Sequence, residues 1–198
     1  LAIAASAAVD RMRGPEDGSA SRPETTSRAA PSIGAATPRH PRRRPAEWEP
    51  HARCIMAWPS AKPEIVDERW EDVARVRTEL AALAKAIVEF EPVWMAVNHE
   101  DLRGARKLLD PRITTAEVEV DDLWTRDTAP TFVLSDGAPL AVAWTFNAWG
   151  GKQKNFARDA AFGPVAAARL GIKLRRETLV CEGGTLASDG EGTLMTTE

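Results

Sequence analysis

The residues best suited to chemistry fall in three short stretches of a 198-residue chain. One is CEGGTLASDGEGT (181–193), which packs three carboxylates (Glu182, Asp189, Glu191) and four glycines beside Cys181, one of only two cysteines. The second is DDLWTRDTAPTFV (121–133), where Trp124, Arg126 and Asp127 set an aromatic wall, a cation and a carboxylate within one turn. The third is FNAWGGK (146–152), an aromatic-flanked asparagine followed by a Gly-Gly pair that lets backbone approach a neighbour closely.

Several chemistries can be weighed against these residues. A calcium loop alternates oxygen ligands over twelve residues and closes on a Glu; the acidic spacing around Asp189 fails that pattern, and no metal is expected. A phosphate cradle needs a glycine loop that opens a helix, and no helical pattern follows Gly184 or Gly192. Cys181 follows the strand-like TLV, so a packed small hydrophobe is favoured over a nucleophile, and Cys54 in RCIMAW reads the same way. The histidines are His40, His51 and His99, and no Ser-His-Asp or Cys-His set assembles from them. The bland reading of Asp189-Gly190 is a hairpin turn between GTLAS and GTLMTT, and that of Arg126-Asp127 is a surface ion pair of little energy. Neither explains Glu182 before two glycines. Carboxylates at strand ends (Asp127, Glu182, Asp189) beside Trp124 and Trp149 suit a planar cation: guanidinium offers a fixed fork of donors that carboxylates accept bidentately, and aromatic faces add cation–π attraction.

The elements that must carry these groups follow from periodicity. RCIMAW (53–58) reads as a short strand ended by Pro59. Residues 64–90 read as a helix, with Val66, Trp70, Val73, Val76, Leu80, Leu83 and Ile87 on one face and Pro63 at its first turn. VWMAV (93–97) is the next strand, a short helix spans about 100–109, and ITTAEVEV (113–120) is a further strand. PTFVLSDGAPLAVAWTF (130–146) reads as two strands joined at Asp136-Gly137, a helix covers 157–170 with Gly171 as its stop, and KLRRETLV (173–180) is a strand. Strands interleaved with single helices give an α/β (α+β) class.

Composition bounds the rest. With 43% hydrophobic and 28% charged residues and a net charge of −3, bulk charge gives no support for nucleic-acid binding. No apolar run approaches the roughly 20 residues of a membrane span, so no membrane partner is expected. Residues 1–50 hold seven of the 14 prolines and show no hydrophobic period, so they are expected to be a disordered low-complexity segment, with Arg42-Arg43-Arg44 a solvated basic arm; residues 51–198 form the domain. A chain that begins at Leu1 and ends within a strand pattern is expected to be a piece of a longer protein.

Four pieces in order, MAWPS (56–60), DLWTRDTAPTFV (122–133), FNAWGGK (146–152) and EGGTLASDGEGTLMTTE (182–198), resemble the agmatine deiminase family and its relatives, the bacterial-type peptidyl-arginine deiminases. The resemblance covers most of residues 50–198. It implies a pentein-type fold, a β/α propeller of ββαβ modules around a central site, of which this chain would be the N-terminal part. It also implies hydrolysis of agmatine to N-carbamoylputrescine and ammonia in putrescine biosynthesis, with peptidyl-arginine or a non-catalytic guanidinium binder as alternatives. No cofactor is implied, a cytoplasmic location is expected, and a homo-oligomer is compatible. Carried over by position, Asp127 and Asp189 would bind the guanidinium, Trp124 would wall the site, and Glu182 would be a further active-site carboxylate. Two departures follow. Ala187 stands where the family commonly has a histidine general acid–base. The family's cysteine nucleophile belongs to a Gly-rich segment beyond Glu198, matched by neither Cys54 nor Cys181, so the piece alone is expected to be inactive.

Overall fold

The computed structural model describes residues 42–60 and 72–196. The chain runs through β1 (Arg42–Arg43), β2 (Cys54–Ala57), α1 (Val73–Ile87), β3 (Val93–Val97), a 3-10 turn (His99–Asp101), α2 (Leu102–Leu108) and β4 (Thr114–Glu117). A one-turn helix, α3 (Thr125–Thr128), precedes β5 (Thr131–Ser135) and β6 (Ala138–Thr145). Then come the turn α4 (Ala148–Gly151), α5 (Ala157–Arg169), β7 (Lys173–Val180), a 3-10 turn (Gly183–Thr185), β8 (Leu186–Ser188) and β9 (Leu194–Thr196).

The first half builds a parallel sheet in the order β2-β3-β4, with α1 and α2 as its crossovers. Every residue of CIMA and VWMAV is buried because both faces are covered, which is why these strands read as continuous apolar runs. Cys54, Met56, Val93, Met95 and Val97 face Leu80, Ala84 and Ala105 of the helices. Their alternates Ile55, Ala57, Trp94 and Ala96 face Phe162 and Ala166 of α5, along with Val118 and Val120. The second half is a mixed sheet in the order β1-β5-β6-β7, antiparallel except for the β6/β7 pair that α5 connects. Thus α5 lies between the two sheets. A third, two-stranded sheet pairs β8 with β9.

The hairpin at Asp136-Gly137 forms as expected: both residues are left-handed (φ 51° and 80°), and Ser135 pairs with Ala138. The helices over 100–109 and 157–170 and the strand over 173–180 also form, and Gly171 takes the left-handed stop (φ 67°). Three expectations are corrected. The helix expected over 64–90 begins at Val73, where the Asp72 carboxylate caps the Arg75 N–H at 2.9 Å; residues 61–71 lie outside the described residues. The strand expected over 113–120 ends at Glu117, because the buried Asn98 side chain takes over at Val120, accepting its N–H at 2.8 Å and donating to its carbonyl at 3.0 Å. The boundary at residue 50 moves upstream, since residues 42–50 form a strap tied into the fold. β1 pairs with β5, and the Arg43 guanidinium, expected to be solvated, is forked onto Glu49. The remainder of the 1–50 segment lies outside the described residues.

Candidate active site

The DLWTRD stretch is held from both sides before its side chains are placed. Asp159, at the start of α5, accepts the amide N–H of Asp121 at 2.8 Å and of Asp122 at 3.1 Å. Asp121 returns the favour, its carboxylate accepting the Arg158 amide at 2.8 Å and so capping the helix. Gln153 donates to Asp122 at 2.9 Å. Further on, the Thr125 hydroxyl donates to the carbonyl of Ile55 at 3.1 Å, pinning α3 to β2. The turn leaves Asp127 half-buried at the outer side of this anchored segment.

Three of the motifs meet at Asp127. Its Oδ1 accepts the amide N–H of Gly184 at 3.1 Å, and its Oδ2 accepts the indole N–H of Trp149 at 3.1 Å. Gly183 is buried, and a Cβ on it would fall well inside contact distance of the Arg126 carbonyl, as one on Gly184 would of the Asp127 carboxylate, so both positions admit only glycine. Trp149 is delivered by an uncommon backbone. Ala148, Trp149, Gly150 and Gly151 are all left-handed (φ 56°, 54°, 78° and 79°), one left-handed helical turn closed by Gly151 N–H to Asn147 O at 2.8 Å. The Asn147 side chain accepts the Gly150 N–H at 2.8 Å. For Ala148 and Trp149 this conformation costs roughly 1–2 kcal/mol each, and the packing that holds it includes the edge-to-face contact of Phe146 with Trp149 at 5.1 Å.

The other expected site residues separate. Glu182 is half-buried beside this group; its carbonyl accepts both the amide and hydroxyl of Thr185, and its carboxylate has no hydrogen-bond partner among the described residues. Trp124 is half-buried at the start of α3, where its carbonyl accepts the Asp127 amide at 3.0 Å. Asp189 is exposed and turned into its own loop: Oδ1 accepts the amides of Glu191 at 2.8 Å and Thr193 at 3.0 Å. The Thr193 side chain and these amides hold the Asp189 carboxyl below its ordinary value. Asp189-Gly190 is therefore not a two-residue turn but the start of a five-residue loop, and Asp189 shares no hydrogen bond with Asp127.

Sequence reading missed the strap's part in the site. Glu47 binds the Arg126 guanidinium through both oxygens (2.6 and 2.8 Å), so the Arg126-Asp127 pair weighed above does not form; Arg126 turns away from its neighbour. Arg43 donates to the carbonyl of Gly190 at 3.1 Å, and Ser188 donates to that of Arg44 at 3.2 Å, docking the β8–β9 hairpin on the strap. The one local signal was that Glu47 and Glu49 follow three arginines in RRRPAEWE, charges that can satisfy one another; it does not point to Arg126 or Gly190.

A cavity of about 550 Å3 lies between the strap and β5, lined by Ala46, Ile55, Phe132 and Leu134 and bordered by Arg126 and Gly183; Asp127 is outside it. Cys54 is core, its thiol pushed up to about 11 by burial. Cys181, expected to pack, is half-exposed at the end of β7 with Sγ 3.3 Å from the Thr185 hydroxyl. His51 and His99 pair with Glu91 and Glu117; His40 lies outside the described residues. Among the described residues no group of three or more His, Cys, Asp or Glu is arranged to hold a metal, and no helix is long and apolar enough to cross a membrane.

Comparison with known proteins supplies the remaining context. A family profile described as Porphyromonas-type peptidyl-arginine deiminase matches residues 43–198. The agmatine deiminase of Stutzerimonas stutzeri is 46% identical over 162 residues, 78% of this chain and 43% of that protein. A putative agmatine deiminase of Streptomyces avermitilis is 40% identical over 158 residues, 79% of this chain and 45% of that protein. Among solved structures, the agmatine deiminase of Enterococcus faecalis superimposes with a TM-score of 0.71 at 32% identity, over 84% of this chain and 47% of that one. The putative arginine deiminase of Porphyromonas gingivalis gives 0.64 at 29%, over 79% and 47%. The chain spans a little under half the length of the curated relatives it matches.

Proposed function

Because the chain belongs to the Porphyromonas-type peptidyl-arginine deiminase family and shares the pentein-type α/β fold of its solved neighbours, we propose that it serves hydrolytic deimination of a guanidinium, with agmatine as the substrate. The observation that carries this reading is the convergence of DLWTRD, FNAWGGK and EGG on the Asp127 carboxylate. Each carboxylate oxygen can accept more than one hydrogen bond and here accepts one, so both keep a lone pair for the paired N–H donors of a guanidinium. Glu182 adds a second carboxylate with no competing partner among the described residues, and Trp124 an aromatic flank. Asp189 joins them only if its loop releases the carboxylate.

In the resembled chemistry a cysteine thiolate attacks the guanidinium carbon, ammonia leaves as the C–N bond breaks, and water then cleaves the C–S bond to give the ureido product. In the whole protein the nucleophile comes from downstream of Glu198, the product is N-carbamoylputrescine, and the setting is putrescine synthesis in the cytoplasm. Ala187 favours a second reading, a guanidinium binder with little or no turnover: losing a general acid–base lowers rate by about 10² to 10⁴-fold.

Calorimetry with agmatine on this chain, paired with ammonia release by the whole protein, tests both. Agmatine binding that Asp127→Asn abolishes, with ammonia released, supports the deiminase. Binding without ammonia supports the binder. Absence of heat with agmatine, together with tight binding of a C-terminal arginine peptide, moves the substrate to peptidyl-arginine. No binding to either compound removes the guanidinium reading.

A further inference from the structure

Asp127 has its two oxygens committed to different parts of the fold, and only one of those donors is backbone. The Gly184 amide fixes Oδ1. The indole of Trp149 fixes Oδ2. We infer that Trp149 is the positioning residue of this site, a side-chain donor that sets the plane of the Asp127 carboxylate toward a guanidinium. The inference rests on the reading that Asp127 binds the guanidinium, and adds to it the group that orients the carboxylate.

Three observations carry it. First, the carboxylate sits on a one-turn helix, α3, too short to hold a side chain rigid by itself. With one donor on each oxygen, rotation about the Cβ–Cγ bond breaks both bonds at once, so the plane is fixed. Second, Trp149 is presented by four consecutive left-handed residues, two of them not glycine. An ordinary right-handed turn over the same residues would aim the indole elsewhere. Third, the ring itself cannot swing: Phe146 meets it edge-on at 5.1 Å, and Phe156 backs Phe146 at 6.2 Å. The charged neighbours do not substitute for the indole. Arg126, on the same turn, gives its guanidinium to Glu47, and Glu182, beyond Gly183, is itself an acceptor.

An indole N–H is a suitable donor for this task. It cannot accept, it does not titrate, and it stays neutral, so it orients the carboxylate without neutralising the charge that a cationic substrate needs. A lysine or arginine in its place would compete with the substrate for the same oxygens.

The test reads the bond and its consequence separately. Each of the seven tryptophans gives one indole N–H resonance in 15N-labelled protein, and the Trp149 signal is the one absent from Trp149→Phe. In ligand-free protein that signal is expected to shift between wild type and Asp127→Asn, whose neutral amide replaces the charged acceptor. A Trp149 signal that ignores Asp127 overturns the inference. In calorimetry with agmatine, Trp149→Phe is expected to weaken binding roughly 10- to 100-fold, the loss of one hydrogen bond to a charged group. Trp149→His, whose ring keeps an N–H donor, should bind agmatine more tightly than Trp149→Phe, which a defect of packing alone would not produce. Unchanged affinity in Trp149→Phe overturns the inference. If wild type ignores agmatine while the indole follows Asp127, the substrate reading falls and the carboxylate-orienting role stands.

Discussion

Replacing Asp159 by asparagine should remove the pH dependence of one part of this fold. Asp159 is 1% exposed at the head of α5. Its carboxylate accepts three amide contacts from Asp121 and Asp122, between 2.8 and 3.3 Å. Those amides favour the charged form, but burial outweighs them, the Asp121 and Asp122 charges oppose ionisation as well, and the carboxyl is pushed up to about 7 from its ordinary 3.8. A folded value above the unfolded one means that the unfolded chain ionises first. The Asp159 contribution is therefore whole below pH 3.8 and is lost as pH rises toward 7; linkage sets the loss at about 4 kcal/mol. Asparagine resembles the protonated acid in shape and never ionises. Urea unfolding of both proteins at steps from about pH 4 to about pH 8 gives the difference between them. Carboxylates held low, such as Asp110 and Asp189, are common to both and cancel. The two proteins should match near pH 4, with Asp159→Asn the more stable by several kcal/mol above pH 7. A wild type that gains on the variant as pH rises would show that the two amides hold the carboxylate ionised, and would refute the burial argument.

Two further outcomes concern the site's supports. Gly183→Ala places a Cβ inside contact distance of the Arg126 carbonyl, a backbone atom with no flexible side chain to yield. Moving that turn aside and losing the Gly184 bond to Asp127 should cost about 2–4 kcal/mol; a urea midpoint equal to wild type at equal slope contradicts the packing described. Glu47→Gln weakens the fork to Arg126, with side chains 40% and 26% exposed, so solvent screening limits the loss to about 0.5–1 kcal/mol. A double-mutant cycle with Arg126→Gln reads the pair directly, and a coupling of zero would leave the strap held by the β1–β5 pairing and the Arg43 and Ser188 bonds.

Much of the secondary structure was legible because it rests on short-range causes. CIMA and VWMAV announced buried parallel strands by being apolar at every position. Asp136-Gly137 announced its turn because both residues tolerate positive φ. What failed was decided at longer range. Nothing within ITTAEVEV says that Asn98 will bond Val120 and end the strand at Glu117. Nothing within the arginine run says that Glu47 and Glu49 will draw it into a strap, because the partners that complete it, Arg126 and Gly190, lie far along the chain.

The same division runs through the site. Residue types alone named the chemistry, since carboxylates beside tryptophans and close-approach glycines suit a planar cation whatever their fold. They also named Asp127, Glu182 and Asp189 together, with Trp124 and Trp149 beside them. Tertiary structure ranked them. It gave Asp127 two donors from segments 22 and 57 residues away, left Glu182 beside it, and turned Asp189 into its own loop. It also promoted Trp149, whose left-handed turn is a strained local conformation, held only once Phe146 packs against it and the indole meets Asp127. A sequence can state which groups are capable of a hydrogen bond, but which of them meet depends on how the sheets and α5 bring distant turns together.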